Sequence, residues 1–512
     1  MVQGTGSNVG KSVLVAALCR IFAQDGYRVA PFKAQNMSLN SFVTKEGCEM
    51  GRAQVVQAEA AFIEPHVDMN PILLKPTSNQ GSQVILHGKP LQHLMVEVYS
   101  QQKPRLWNEV VQSLERLRQQ YEIIVIEGAG SPAEVNLRAN DIVNMSVALY
   151  AQCPVLLVGD IDRGGVFAWL IGTLELLSEE ERRLVQGLVI NKFRGDVSLL
   201  TSGLTFLEDR TGKKVLGVIP YVRDLRIEDE DSVNLEESMN NVISYKEETL
   251  DIAVIRSPHI SNFTDFNALS AMEGVSIRYV VRPEALGFPD VIILPGTKNT
   301  LVDMIALKES GLFEAVRTAV MCGAYLIGIC GGFQMLGWEV RDPDHVESSL
   351  ERVEGLGLLN ATTIMNPVKL TEQVQALVLA TDLLFGFSGE LTGYEIHQGE
   401  TELKDNTQPL LEIVKRSGNK VHAVDGAISP DGKVWGTYLH GIFDNDDFRL
   451  AFINHLRKEK GLQPVDVLVN FQFDLEKQRQ YDQLAQVVRE NLDIDFIYKI
   501  TGIQKKLLVL KD

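Results

Sequence analysis

The chain has few cysteines, no long apolar run and no excess of positive charge, and each shortage removes a class of protein. Its five cysteines (Cys19, Cys48, Cys153, Cys322, Cys330) are scattered over 512 residues without paired spacing. A disulfide framework or a zinc site is therefore not expected, and a reducing cytoplasm is. No run reaches the ~18 apolar residues that a membrane span needs. The opening MVQGTGSNVGKS has no basic region followed by an apolar core, so it does not read as a secretion signal. The formal net charge is −18. Such a surface repels nucleic acid, and an anionic substrate would need a local basic pocket. What is present is 45% apolar residue in a chain too long for one ordinary domain, so two or three domains with large cores are expected.

Short β-rich runs alternate with helical patterns in the first half. Strands are predicted at 28–33, 122–127, 154–160, 186–192 and 214–220. Between Lys11 and Gln24, Leu14, Ala17, Leu18 and Ile21 recur at helical spacing. This rhythm predicts a parallel, doubly wound sheet. The acidic, polar stretch RIEDEDSVNLEESMNN breaks it. We read an N-terminal domain over 1–235, a linker over 236–249, and a second α/β domain over 250–460. Strands of the second domain are expected at 251–256, 276–282, 290–294, 324–329 and 433–439. A helical tail is expected over 461–512, with its helix at 475–491.

GTGSNVGKS, from Gly4 through Thr5, Gly6, Ser7, Asn8, Val9, Gly10 and Lys11 to Ser12, has the form of a phosphate-binding loop. Such a loop aims successive backbone N–H groups at phosphate oxygens. Its lysine adds charge near the terminal phosphates, its serine offers a hydroxyl to Mg²⁺, and the next helix directs its positive end at the anion. The usual spacing would put the first glycine where Thr5 stands. That variant occurs in the dethiobiotin synthetase-like branch of P-loop proteins. A strand feeding such a loop usually has about five residues, and only three precede Gly4, which points to residues missing before Met1. A metal-bound ATP also needs a carboxylate. Glu127 ends an apolar strand, where ligands gather in open α/β sheets. Lys33 ends another and could face the same phosphates or solvent. Asp141, in RANDIVNM, is read either as orienting the metal or the reacting carboxylate, or as a helix N-cap. Asp160 and Asp162 are weaker candidates of the same kind.

The segment GAYLIGICGGFQMLG reads as a strand, a tight glycine-bounded turn and a helix. Cys330 in that turn has the surroundings of a nucleophile at an elbow, exposed by small neighbours and favoured as thiolate by the helix start. A buried core cysteine is the alternative. Its base is read as His440, at the end of the strand in VWGTYLHGIFDN. The other histidines lack that context, although His397 in TGYEIHQGE stays open. Backbone N–H groups near Gly296, in ILPGTKNT, and at Gly331 could stabilise an oxyanion.

Taken together, QGTGSNVGKS, FKAQNMSLNS, EGAGSPAEVNLRANDIVNM, VGDIDRGGVFA, LPGTKNT, GICGGFQMLG, YEIHQGE and TYLHGIFDN resemble the cobyric acid synthase family over nearly the whole chain. The resemblance implies an N-terminal P-loop, dethiobiotin synthetase-like doubly wound sheet and a C-terminal class I glutamine amidotransferase-like α/β domain. It implies ATP, Mg²⁺ and glutamine as reactants and a corrinoid, adenosylcobyrinic acid a,c-diamide, as substrate. Its b, d, e and g carboxylates would become amides, with no nucleic acid or membrane partner. One departure from the usual triad stands out. A glutaminase of this class carries Glu two residues after its His, and here that residue is Ile442. The third member is left open, with Asp444 offered on proximity alone. The nearest rival, cobyrinic acid a,c-diamide synthase, carries a GPDYID-like segment where this chain has AQNMSLNS. A nucleotide-switched binding module or a decayed glutaminase would not keep Cys330 and His440.

Overall fold

The computed structural model describes residues 1–78, 81–222, 225, 227, 248–405, 407–465, 472–504 and 506. Most of the acidic segment, residues 236–247 of the expected linker and most of the final KKLLVLKD lie outside the described residues.

Apolar runs flanked by glycine and polar turns make the first sheet. Val29–Phe32 pairs parallel with Ile123–Ile126, which meets Val2–Gly4 through a Val2–Glu127 bridge. Val155–Asp160, Val185–Phe193 and Lys214–Pro220 continue it, all parallel. Val2–Gly4 is thus central, and the loop that follows it opens over the carboxyl edge of the sheet. The helix Lys11–Gln24 begins at Gly10, which has φ 97° and lies so close to Asn191 that a Cβ would meet its Nδ2 at 2.1 Å. Only glycine fits both demands.

The second sheet runs Val275–Val280, Leu250–Ile255, Val291–Leu294, Tyr325–Ile329 and Val434–Thr437, parallel throughout, with Ala427–Ile428 antiparallel at the edge. All five strands expected there from sequence are present, shifted by a few residues at their ends. A further antiparallel sheet was not foreseen. Ala361–Val378 pairs with Glu390–Leu403 and Leu411–Arg416, and the latter with Asn419–Asp425. These strands bury one face only, so their apolar residues alternate with polar ones instead of forming the continuous runs of a doubly covered strand. A smaller antiparallel excursion, Ile72–Ser78, Gly81–Leu86 and Lys89–Met95, projects from the first half.

The residues read as a C-terminal tail return to the first half. Phe473–Asn491 and Ile494–Thr501 lie against Lys11–Gln24, and Tyr481, Leu484, Val488, Ile497 and Tyr498 share a core with Leu14, Val15, Leu18 and Phe22. Each such side chain is worth about 1.5–3 kcal/mol when fully buried. The buried Arg20 donates to Asp482 at 2.8 Å, and Asp25 receives Arg489 and the Tyr498 hydroxyl. Among the described residues no helix is long and apolar enough to cross a membrane.

Candidate active sites

Two clefts lie at the carboxyl edges of the two parallel sheets. The first is lined by Ser7, Asn8, Gly10, Lys11, Ser12, Lys33, Asn40 and Glu127, with Ile260 and Phe263 of the second half across from them. Glu127 ends its strand 1% exposed. Its carboxylate accepts from the Ser12 hydroxyl at 2.8 Å, from Lys33 Nζ at 2.9 Å and from Gln57. Serine, carboxylate and Lys33 are therefore brought together, and Lys33, which the sequence left between the cleft and solvent, faces Glu127. Lys11 Nζ donates to the carbonyls of Gly6 and Gly130, at 2.7 and 3.1 Å, which curls it over its own loop. Gly4, Thr5, Gly6 and Val9 complete that loop.

Asp141 is not among the cleft-lining side chains. Its carboxylate accepts the backbone N–H groups of Val143, Asn144 and Ser146, each at 2.9 Å. The turn so held presents Asn144, which grips Ala129 through both its N–H and its carbonyl. Asp141 thus reaches the phosphate cleft through Asn144 and the strand end after Glu127. Asp160 pairs with Lys192 at 3.0 Å, and Asp162 with Arg194 at 2.7 Å.

In the second cleft Cys330 stands between Tyr325–Ile329 and a short helix, Gly331–Leu336, with φ 53° and ψ −110°. This sharp, sparsely populated conformation sets the thiol at the sheet edge, but in a pocket where Cys330 is buried, not exposed as its small neighbours suggested. The elbow depends on Gly332, whose added Cβ would meet the Leu294 carbonyl oxygen at 1.9 Å. Thr297 crowds Gly331, and Gly296 approaches the His440 ring, so both expected oxyanion segments lie at the thiol. His440, 1% exposed, donates through Nδ1 to Asp265 Oδ2 at 2.6 Å, and Asp265 Oδ1 accepts the Gly441 N–H. Burial pushes this imidazole towards neutrality. The Asp265 carboxylate and Cys330 outweigh burial and raise its pKa to about 10. A histidine so held is positively charged at neutral pH and favours the thiolate beside it. The third member of the site is Asp265, not Asp444. Asp444 is exposed, two residues beyond Ile442.

His397 also lines the thiol pocket, stacked on Tyr438 with ring centres 3.8 Å apart. His259 binds Asp303 at 2.7 Å. Asp265, Tyr394, Lys298 and Glu347 were missed by sequence reasoning. For Asp265 a signal existed: it lies in the loop after Leu250–Ile255, a position at the ligand-gathering edge.

The two clefts share a wall. Ser41, in the first half, accepts at its carbonyl from Asn262 Nδ2 at 3.1 Å, and Thr264 donates to Asn40 Oδ1 at 3.3 Å. Tyr394 stacks on the His440 ring and its hydroxyl accepts from Asn262. Lys75 of the first half enters the thiol pocket, where it binds Glu49 at 2.7 Å, and Lys369 of the second half binds the other oxygen of Glu49.

Residues 1–235 match the family described as the CobQ/CobB/MinD/ParA nucleotide binding domain, and residues 251–448 the CobB/CobQ-like glutamine amidotransferase domain. The chain is 52% identical to a cobyric acid synthase of Pelotomaculum thermopropionicum, covering 98% of this chain and 96% of that one. It is 50% identical to that of Streptococcus sanguinis, over 99% of each. The chain belongs to the cobyric acid synthase family. Another member, from Thermoanaerobacter sp., is 49% identical over 98% of both chains. This family membership and the paired domains make the chain a glutamine-dependent amidating ligase.

Proposed function

We propose that this chain uses ATP and glutamine to amidate the b, d, e and g carboxylates of adenosylcobyrinic acid a,c-diamide, giving adenosylcobyric acid. The observation that carries the coupling is the shared wall, where the adjacent residues Asn40 and Ser41 touch the phosphate cleft and the thiol pocket in turn. The cysteine thiolate attacks the glutamine side-chain amide, and the backbone N–H groups near Gly296 and Gly331 stabilise the oxyanion. His440 passes a proton to the departing nitrogen, and ammonia leaves. Water then releases glutamate from the thioester. In the other cleft a substrate carboxylate takes the γ-phosphoryl group of ATP, yielding an acyl phosphate and ADP. Ammonia displaces phosphate to give the amide. Free ammonium is not a nucleophile, so passing ammonia directly across the shared wall favours the amide over loss to water.

The loop from Gly4 to Ser12 holds the phosphates, and Lys11 and Lys33 offset their charge. Ser12 and Glu127, already in contact, fit Mg²⁺, which takes one or two carboxylates together with phosphate oxygens. When bound, the ion neutralises charge on the transferring phosphoryl group. No cluster of three or more His, Cys, Asp or Glu side chains suited to a metal exists among the described residues. Asp141 is a positioning residue for this cleft, through Asn144 and Ala129. The five free cysteines fit a reducing cytoplasm. Incubation with ATP, Mg²⁺, glutamine and the a,c-diamide tests the reading by product mass. Four successive losses of about one mass unit (each OH replaced by NH₂) are expected, and an unchanged corrinoid would refute it.

A further inference from the structure

Three lysines line the thiol pocket: Lys75, Lys298 and Lys369. Two of them share one carboxylate partner, since Lys75 and Lys369 divide the two oxygens of Glu49 between them. Lys298 is different. It is 8% exposed, it faces the pocket that holds Cys330 and His440, and its ammonium has no hydrogen bond and no carboxylate within 4.0 Å among the described residues. Burial lowers its pKa, and Glu347, Glu49 and Cys330 oppose that loss of charge. A buried cation without a hydrogen-bonded partner is costly unless something arrives to bond with it.

Glu347 lies across from it in the same pocket. One carboxylate oxygen accepts the Thr300 N–H at 2.8 Å, and the other has no hydrogen bond among the described residues. The pocket therefore offers a cation and an anion with hydrogen-bonding capacity to spare beside a nucleophilic thiol. A glutamine molecule carries the complementary pair, an α-carboxylate and an α-ammonium, a few bonds from the amide that Cys330 attacks. We propose that Lys298 binds the α-carboxylate of glutamine and Glu347 its α-ammonium, so that these two side chains select a free amino acid over other primary amides. This rests on the glutaminase reading of Cys330 and His440. It adds the selection that those two residues cannot make, because they address only the amide end.

The arrangement also accounts for the position of Lys298 in the chain. It follows Gly296 and Thr297, which crowd His440 and Gly331, so the strand end that supplies oxyanion donors places a cation one step away. Thr300, two residues on, starts the helix Thr300–Glu309 and gives its N–H to Glu347. A single short turn thus orients both charges.

The test compares glutamine with two amides that each lack one α-group: 4-aminobutanamide, without the carboxylate, and glutaramic acid, without the amine. In the unmodified chain kcat/KM for either is expected to lie on the order of 10- to 100-fold below that for glutamine, from the loss of one charge-assisted hydrogen bond. In Lys298→Met, KM for glutamine rises by a similar factor while kcat changes much less, and the difference between glutamine and 4-aminobutanamide disappears. Glu347→Gln removes the difference between glutamine and glutaramic acid instead. Lys298→Arg keeps the charge and recovers most of the discrimination. Alkylation of Cys330 by iodoacetamide, which has neither α-group, reports that the elbow is intact in each variant. Equal turnover of all three amides by the unmodified chain would overturn the proposal, as would full discrimination in Lys298→Met. Absence of glutamate release from the unmodified chain would overturn the glutaminase reading as well, so the two failures are distinguishable.

Discussion

Replacing Asp265 with Asn tests the least visible member of the thiol site. The carboxylate accepts two N–H groups, from the His440 ring at 2.6 Å and from Gly441 at 3.2 Å. An asparagine can accept with one atom only, so one of these donors would face an NH₂ group. The charge on the imidazolium also loses its partner. Against burial, Asp265 is the largest of the influences that raise the His440 pKa, and a hydrogen bond between charged groups is worth roughly 2–3 kcal/mol. Glutamate release should therefore fall on the order of 10²-fold, and the pH at which Cys330 becomes reactive to iodoacetamide should rise. Amidation driven by ammonium at alkaline pH should persist, because the phosphate cleft is untouched. Asp444→Asn, on the exposed side of the turn, serves as the comparison and should retain activity. Glutaminase within about threefold of the unmodified chain in Asp265→Asn, or an equal loss in Asp444→Asn, would refute the assignment.

Four further outcomes are expected. Cys330→Ser should lose glutamine-dependent amidation while high ammonium still supports it, as read by product mass with each nitrogen source. Lys11→Ala should abolish amidation with either source, and Glu127→Gln should act similarly and raise the Mg²⁺ concentration needed for half-maximal rate, since both touch the phosphoryl group's surroundings. Asp141→Asn keeps an acceptor for the Val143 and Asn144 N–H groups and loses the one for Ser146. Melting temperature should fall by a few degrees and ATP-dependent amidation should drop while glutamate release continues; unchanged amidation would leave Asp141 as a cap alone. Finally, burial, with Asp342 and Asp303 adding to it and Lys298 and the Thr300 N–H opposing, pushes the Glu347 carboxyl up to about 7. Protonated below that pH, it cannot receive an ammonium, so KM for glutamine should fall as pH rises through about 7, and Glu347→Gln should erase the dependence.

What could be read from the chain were features written in consecutive residues. The phosphate loop, the strand end at Glu127, the glycine-bounded Cys330 and the strand-end His440 each carry their physics locally, in turns and helix starts. Both parallel sheets were legible for the same reason, as doubly covered strands are continuous apolar runs. The remainder depends on separate segments meeting. Asp265 is 175 residues from His440, and although its loop follows a strand of the second sheet, nothing in ISNFTDF says which residue it would meet. The long antiparallel strands that bring Tyr394 and His397 to the thiol alternate polar and apolar residues. Lys298 sat in a segment noticed for its glycine backbone, and its significance appears only once Glu49 is seen to occupy the other two lysines.

The return of the last helices to Lys11–Gln24 bears on the order in which the protein can be made. The first helix emerges from the ribosome early, carrying Leu14, Val15, Leu18 and Phe22, whose partners Tyr481, Leu484 and Val488 are more than 450 residues away. At about 5–20 residues per second, that interval is on the order of 20–90 s. Throughout it the nucleotide half is unfinished on one side, and before it ends every segment of the glutaminase half has been synthesised and is free to fold. A fragment ending at residue 235 stays in that unfinished condition permanently. It should collect in aggregates or on chaperones during expression, and adding residues 472–504 as a separate peptide should bring it into solution.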